Sequence, residues 1–216
     1  MSLRLTVFYG SVRTHRKGIR AARFVAERCR QRGHDVALVD PAVHRLPLLD
    51  RMYKEYDPPD EAPAMLRLIA DAVVPADAYL VVSGEYNHNV PPALSNLLDH
   101  FLESYFRKPS AIVCYSAGAF GGVRAAVALR SMLAEMGMSS VPTILPIPKV
   151  QDALDPEGAP ADPRLAERAD RLLDELEWYA RALKEAREAS AEAEKEAARR
   201  FDGAVRALAE LEKTST

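Results

Sequence analysis

One stretch near the N-terminus, Leu5 to Arg20 (LTVFYGSVRTHRKGIR), limits what this chain can become more than any other. Its first five residues are apolar, β-branched or aromatic, which suits a buried strand and not an amphipathic helix. Gly10-Ser11 then breaks the run, and cationic and hydroxyl side chains lead into a segment with helical spacing. A strand, a tight turn and a helix start together create an anion site, because the first backbone N–H groups of a helix lack partners and its dipole favours negative charge there. A phosphate-binding βα turn is therefore the working expectation.

The rest of the chain repeats the same alternation. From Ile19 to Cys29 apolar residues recur at helical spacing, and Gly33 supplies a stop. Asp35 to Asp40 reads as a second strand, and the long proline-containing segment 41–63 reads as an irregular connection, a lid or partner contact. Ala64 to Ala76 is helical. Ala78 to Ser83 is a continuous apolar run and so a central strand. Pro91-Pro92 opens a helix with an apolar stripe at Leu94, Leu97, Leu98 and Phe101. Ala111 to Tyr115 is a fourth strand and Val123 to Met136 its following helix. Val141 to Leu145 is a short edge strand between prolines, 151–162 is a loop, and Asp162 caps a helix that starts at Pro163. Five strands alternating with helices specify an α/β fold, a doubly wound parallel sheet with ligands beyond the carboxyl ends of its strands.

Three loops fall at that rim. The first, after strand one, offers Ser11, Arg13, Gly18, Ile19 and Arg20: hydroxyl, backbone and cationic donors of the kinds a phosphate needs. It matches neither the phosphate loop of nucleotide hydrolases nor the G-x-G-x-x-G dinucleotide fingerprint. The second, GEYNHNVPP, gathers Glu85, Tyr86, Asn87 and His88, which suit a flat heterocycle as well as they suit a turn. The third, Ser116 to Gly122, places Ala117, Gly118 and Gly121 where backbone approaches a planar ligand closely or simply turns. Three unusual loops on one rim form a constellation.

Those motifs resemble the NAD(P)H-dependent FMN reductases, which include quinone, azo-dye and chromate reductases of flavodoxin-like fold. The likeness rests on Gly10-Ser11-x-Arg13, on Glu85-Tyr86-Asn87 followed by Pro91, Leu94, Asn96, Leu98 and Asp99, and on Ser116-x-Gly118-x-x-Gly121-Gly122. It implies a flavodoxin-like sheet of order 2-1-3-4-5 and a homodimer or dimer of dimers. It also implies FMN at the rim, with NADPH or NADH as donor and a small-molecule electron acceptor. Ser11, Arg13 and Gly18 to Arg20 would surround the phosphate; Glu85 to His88 and Ser116 to Gly118, with Gly121, would surround the isoalloxazine. Many members carry Ser-x-Asn where this chain has Gly18 and Arg20, Pro at Gly84 and Lys at Ser95. No side chain is assigned a catalytic role, since the flavin carries the chemistry. Arg16 and Lys17 are candidates for a 2′-phosphate.

Composition narrows the remaining classes. A net charge of −2 gives no electrostatic case for nucleic acid or an anionic membrane, and none for a strongly acidic electron carrier. Cys29 and Cys114 show no metal or redox spacing, the five histidines are scattered, and no leader or long apolar run is present, so a cytoplasmic protein without a metal is expected. Residues 1–182 read as the flavin domain. Residues 183–216 are an appendage of Ala, Glu, Lys and Arg with high helix propensity. A narrow stripe there runs through Leu183, Ala186, Ser190, Ala193 and Ala197 to Phe201, Ala204, Leu208 and Leu211, and Glu196 stands four residues before Arg200. A flavodoxin-type electron carrier and a non-catalytic regulatory or scaffold protein are the competing functions.

Overall fold

The computed structural model describes residues 2–214, with side chains through Lys195 and at Phe201. Five parallel strands stand in the order β2-β1-β3-β4-β5, with β1 Arg4–Tyr9, β2 Asp35–Val39, β3 Ala78–Gly84, β4 Lys108–Tyr115 and β5 Met138–Ile147. This is the expected flavodoxin-like order. β3 is buried along its whole length, as its unbroken apolar run requires, and each large side chain there contributes about 1.5–3 kcal/mol of burial.

The helices cover both faces. α1 (Ile19–Gln31), the single turn α5 (Val150–Ala153) and α6 (Pro163–Thr214) pack on one side. α2 (Ala64–Val73), α3 (Pro92–Asp99) and α4 (Val123–Glu135) pack on the other. Gly33, at φ +82°, closes α1. Asp162 starts α6, its Oδ1 accepting from the Arg164 N–H at 2.9 Å.

Three stretches differ from their sequence expectation. β5 has ten residues where five were expected, and β4 begins at Lys108 in place of Ala111. Ser139 and Ser140 look like loop residues, yet they pair with Pro109 and Ser110 across a register shift near Ser110. The loop after residue 150 begins with a helical turn, and Leu154 bridges to Pro160. The segment 41–63 stays irregular, with two short 3-10 turns. It is pinned to α3 by Asn96, whose side chain accepts from the Leu49 N–H at 2.9 Å and donates to the Pro47 carbonyl at 2.8 Å.

α6 runs without interruption through the boundary expected at 182/183. Its contacts with the body continue to Lys184, on Asp77 at 3.2 Å, and Arg187, on the Arg107 carbonyl at 2.7 Å. The expected Glu196–Arg200 pair, and the stripe positions Ala197, Ala204, Leu208 and Leu211, lie outside the described side chains. Among the described residues no helix is long and apolar enough to cross a membrane, and no cluster of His, Cys, Asp or Glu has the arrangement of a metal site.

Candidate functional site

The first rim loop is held open by packing beneath it. A Cβ on Gly10 would lie 3.0 Å from Leu94, so glycine lets α3 press against the end of β1. Ser11 is buried, its hydroxyl 2.8 Å from the Tyr86 hydroxyl, which joins the first loop to the second. Arg16 turns back on the loop: it ion-pairs with Asp40 just beyond β2, donates to the Ser11 carbonyl at 3.1 Å and lies 5.5 Å from the centre of the Tyr9 ring. At Gly18 a Cβ would stand 1.9 Å from Cζ of Tyr115, so only glycine lets α1 begin against that ring. The Tyr115 hydroxyl donates to that of Tyr9 at 3.3 Å, and burial pushes both phenols above their ordinary pKa, which keeps them protonated.

In the second loop Glu85 is anchored to the start of α4. Its Oε1 pairs with Arg124 Nη2 at 2.5 Å and its Oε2 accepts from the Arg124 N–H at 3.2 Å. Burial works against ionisation here, but the Arg124 side chain and the helix N–H groups outweigh it and lower the Glu85 pKa. Tyr86 and Asn89 exchange both backbone hydrogen bonds, at 3.0 and 2.9 Å, around Asn87 and His88 at φ +50° and +63°. Positive φ at both central residues makes this a type I′ turn, a conformation asparagine tolerates well. Both tip residues are exposed.

The third loop is stitched inward. The Ser116 hydroxyl donates to the Gly118 carbonyl and accepts from the Gly121 N–H, both at 2.9 Å. Gly122, at φ +80°, would place a Cβ 2.6 Å from the Tyr115 carbonyl oxygen, so the chain can enter α4 there only as glycine. Val150 and Lys149 return backbone N–H groups to Ser116 and Gly118 at 3.1 and 2.9 Å, which docks α5 beside the loop.

Together the loops enclose a cleft of about 430 Å³ at the carboxyl end of the sheet. Its two carboxylate neighbours, Glu85 and Asp40, are committed to arginines, whereas Arg13, His15 and Lys17 are exposed without side-chain partners among the described residues. The cleft is therefore cationic at the first loop and walled by Tyr86 beyond β3 and Tyr115 at the end of β4. A larger hollow of about 550 Å³ lies beyond α5, by Lys149 and Arg168, and includes no residue of the three loops.

The family model of NADPH-dependent FMN reductases matches residues 3–152, which hold all five strands of the sheet and all three loops. The chain belongs to this family. A quinone reductase of Pseudomonas putida is 31% identical over 139 residues, 62% of this chain and 71% of its own. An NAD(P)H-dependent FMN reductase of Pseudomonas aeruginosa is 29% identical over 128 residues, 56% of this chain and 69% of its own. Among solved structures FerB, a flavoenzyme NAD(P)H:(acceptor) oxidoreductase of Paracoccus denitrificans, shares the fold. It has a TM-score of 0.65 at 22% identity and covers 81% of this chain and 97% of its own.

With the FMN reductase family established, the expected site residues divide into two groups. Ser11, Arg13, Gly18, Glu85, Tyr86, Ser116 and Ala117 line the cleft together. Ile19, Arg20, Asn87, His88, Gly118 and Gly121 do not line it. Arg20, expected at the phosphate, instead donates through Nη1 to the carbonyls of Gln151 and Leu154, at 2.9 and 2.8 Å. Arg16, expected at a 2′-phosphate, is held by Asp40. The lining also holds His15, Gly84, Tyr115, Val150 and Gln151, which the sequence does not single out as site residues. Tyr115 carried a signal, since it ends β4 directly before the third loop. Val150 and Gln151 carried none, because a single helical turn bounded by a proline-rich stretch resembles loop.

Proposed function

We propose that the protein is an FMN-dependent oxidoreductase that passes electrons from NAD(P)H to a small acceptor such as a quinone, a free flavin, an azo compound or a metal oxyanion. The observation that carries this reading is the meeting of the family's three loops in one cleft whose acidic groups are paired with arginines and whose first-loop cations Arg13 and Lys17 have no side-chain partner among the described residues. That charge pattern fits a flavin carrying a phosphate.

Ser11, Arg13 and Lys17 with the backbone leading to Gly18 hold the phosphate. Tyr86, Ala117 and the backbone toward Gly118 border the ring system, with Tyr115 fixing the floor between them. FMN held there would supply the redox chemistry, taking up a hydride from the nicotinamide and returning the electrons to a second substrate. The protein's share is position and charge. Glu85, kept ionised by Arg124, has no proton to donate near neutral pH, and His88 sits at an exposed turn tip, so neither serves as an acid. The protein acts in the cytoplasm as a homodimer or a dimer of dimers.

The direct test is spectroscopic. Protein loaded with FMN is expected to be yellow and to bleach on anaerobic addition of NADPH. A yellow protein that stays oxidised with both NADPH and NADH would make it an electron carrier. Failure to take up FMN at all would remove the reading.

A further inference from the structure

The last helix leaves the body of the molecule. Residues 188–195 are exposed, and the helix continues from Glu188 to Thr214, about 40 Å at roughly 1.5 Å per residue. Phe201 on this arm is 70% exposed. Helices draw most of their stability from packing, and the domain supplies none to the described side chains from Glu188 to Lys195. The family match ends at residue 152, so membership gives this arm no role.

The sequence of the arm is self-complementary about Ala197. Small or apolar residues stand four, seven, eleven and fourteen positions away on both sides. Ala193 mirrors Phe201, and Ser190 mirrors Ala204. Ala186 mirrors Leu208, and Leu183 mirrors Leu211. At 3.6 residues per turn these steps keep all nine positions on one side of the helix. Folded onto a second copy running the opposite way, the arm sets larger residues opposite small ones at positions 193/201 and 186/208, the alternation that lets two helices approach. A two-fold axis demands this relation, in which residue i meets j and j meets i.

Charge selects the direction. Residues 185–196 carry five glutamates against Arg187 and Lys195, and residues 198–209 carry three arginines against Asp202. Antiparallel pairing lays the acidic half of one arm along the basic half of the other; a parallel pair in register would lay acid on acid.

We propose that the C-terminal helix is a homotypic interaction arm that pairs antiparallel with the same helix of a second copy of this chain, its two-fold centred at Ala197. The pairing is separate from the flavin cleft, and its success or failure is independent of flavin chemistry.

Cysteine cross-linking of the full chain tests it, since the native Cys29 and Cys114 are buried. Ser190→Cys and Ala204→Cys proteins are made separately, mixed and oxidised. The expected result is a disulfide-linked species of twice the 23.8 kDa chain mass that contains one of each variant, with little from either variant alone; Ala197→Cys alone links to itself. Self-linking of Ser190→Cys with no mixed product would show parallel pairing and overturn the proposal. Absence of every cross-link, with FMN uptake intact as proof of folding, would show that the arm does not pair with its own kind.

Discussion

The two ends of the sheet treat charge in opposite ways. At the amino end Asp77, Lys108, Lys184 and Arg187 are all engaged within the fold. Asp77 accepts from the Arg4 N–H at 2.9 Å and from Lys184 at 3.2 Å, and Lys108 donates to the Val74 carbonyl at 2.7 Å and the Tyr79 hydroxyl at 3.2 Å. Arg187 bonds the Arg107 carbonyl. Burial and the nearby Arg187 push the Lys108 ammonium down to about 8. Beside this end Glu177 joins Arg32, His34 and Arg181 to clasp α6 onto α1. At the carboxyl end Arg13, His15 and Lys17 face solvent with nothing paired to their side chains among the described residues. The same kinds of residue close the fold at one end and await a ligand at the other, so availability of charge, more than its presence, marks the site.

The largest effect expected from breaking this contrast is at Gly18. Gly18→Ala drives a methyl into Tyr115, an overpacking cost of about 1–3 kcal/mol that also tilts the cleft floor. Thermal unfolding should shift down, and FMN titration should show weakened binding. Unchanged values in both would mean that α1 and Tyr115 yield freely. Arg13→Ala acts on binding alone. Losing one charge-assisted contact of about 1.5–3 kcal/mol should weaken FMN roughly 10- to 100-fold at unchanged Tm, as isothermal titration can measure.

Glu177→Gln addresses the closed end. Burial opposes the Glu177 charge, but hydrogen bonds from Arg32, His34 and Arg181 hold its pKa down to about 2 from an ordinary 4.5. Because the folded pKa is the lower one, the stabilisation is fully present above pH 4.5 and disappears as pH falls toward 2. The variant should lose on the order of 1 kcal/mol at neutral pH, after allowance for solvent screening. Denaturant midpoints measured against pH should converge with the parent near pH 2, while FMN affinity stays the same. The smallest effect is at His88. Replacing this exposed turn residue with Ala should leave anaerobic flavin reduction by NADPH within a few-fold; a loss of several orders of magnitude in stopped flow would put the imidazole in the chemistry.

The sequence made local features legible. β1, the start of α6 at Asp162-Pro163 and the three rim loops are written in adjacent residues: an apolar run, a cap, a glycine after a strand. What stayed hidden depends on partners far apart in the chain. Arg16 and Asp40 are 24 positions apart, Glu85 and the Arg124 N–H 39, Arg20 and the Gln151 carbonyl 131. A guanidinium in a loop looks the same whether it will meet phosphate or carbonyl, which is why the sequence offers Arg20 to the phosphate while its guanidinium bonds the Gln151 and Leu154 carbonyls. The motif residues Gly10, Leu94 and Asn96 are legible as a family pattern, yet they pack and pin: Gly10 admits Leu94, and Asn96 holds the segment 41–63. β5 reads short in sequence because two serines and two prolines conceal an edge strand whose pairing is set by β4.

The central claim is that the uncommitted cations of the first loop recognise the phosphate of FMN. Comparing FMN with riboflavin, which lacks only that group, isolates the claim in one titration series on the parent protein and Arg13→Ala. The parent should bind FMN at least about tenfold tighter than riboflavin, the equivalent of about 1.4 kcal/mol, and Arg13→Ala should lose most of that difference. Equal affinity of the parent for FMN and riboflavin would contradict the account.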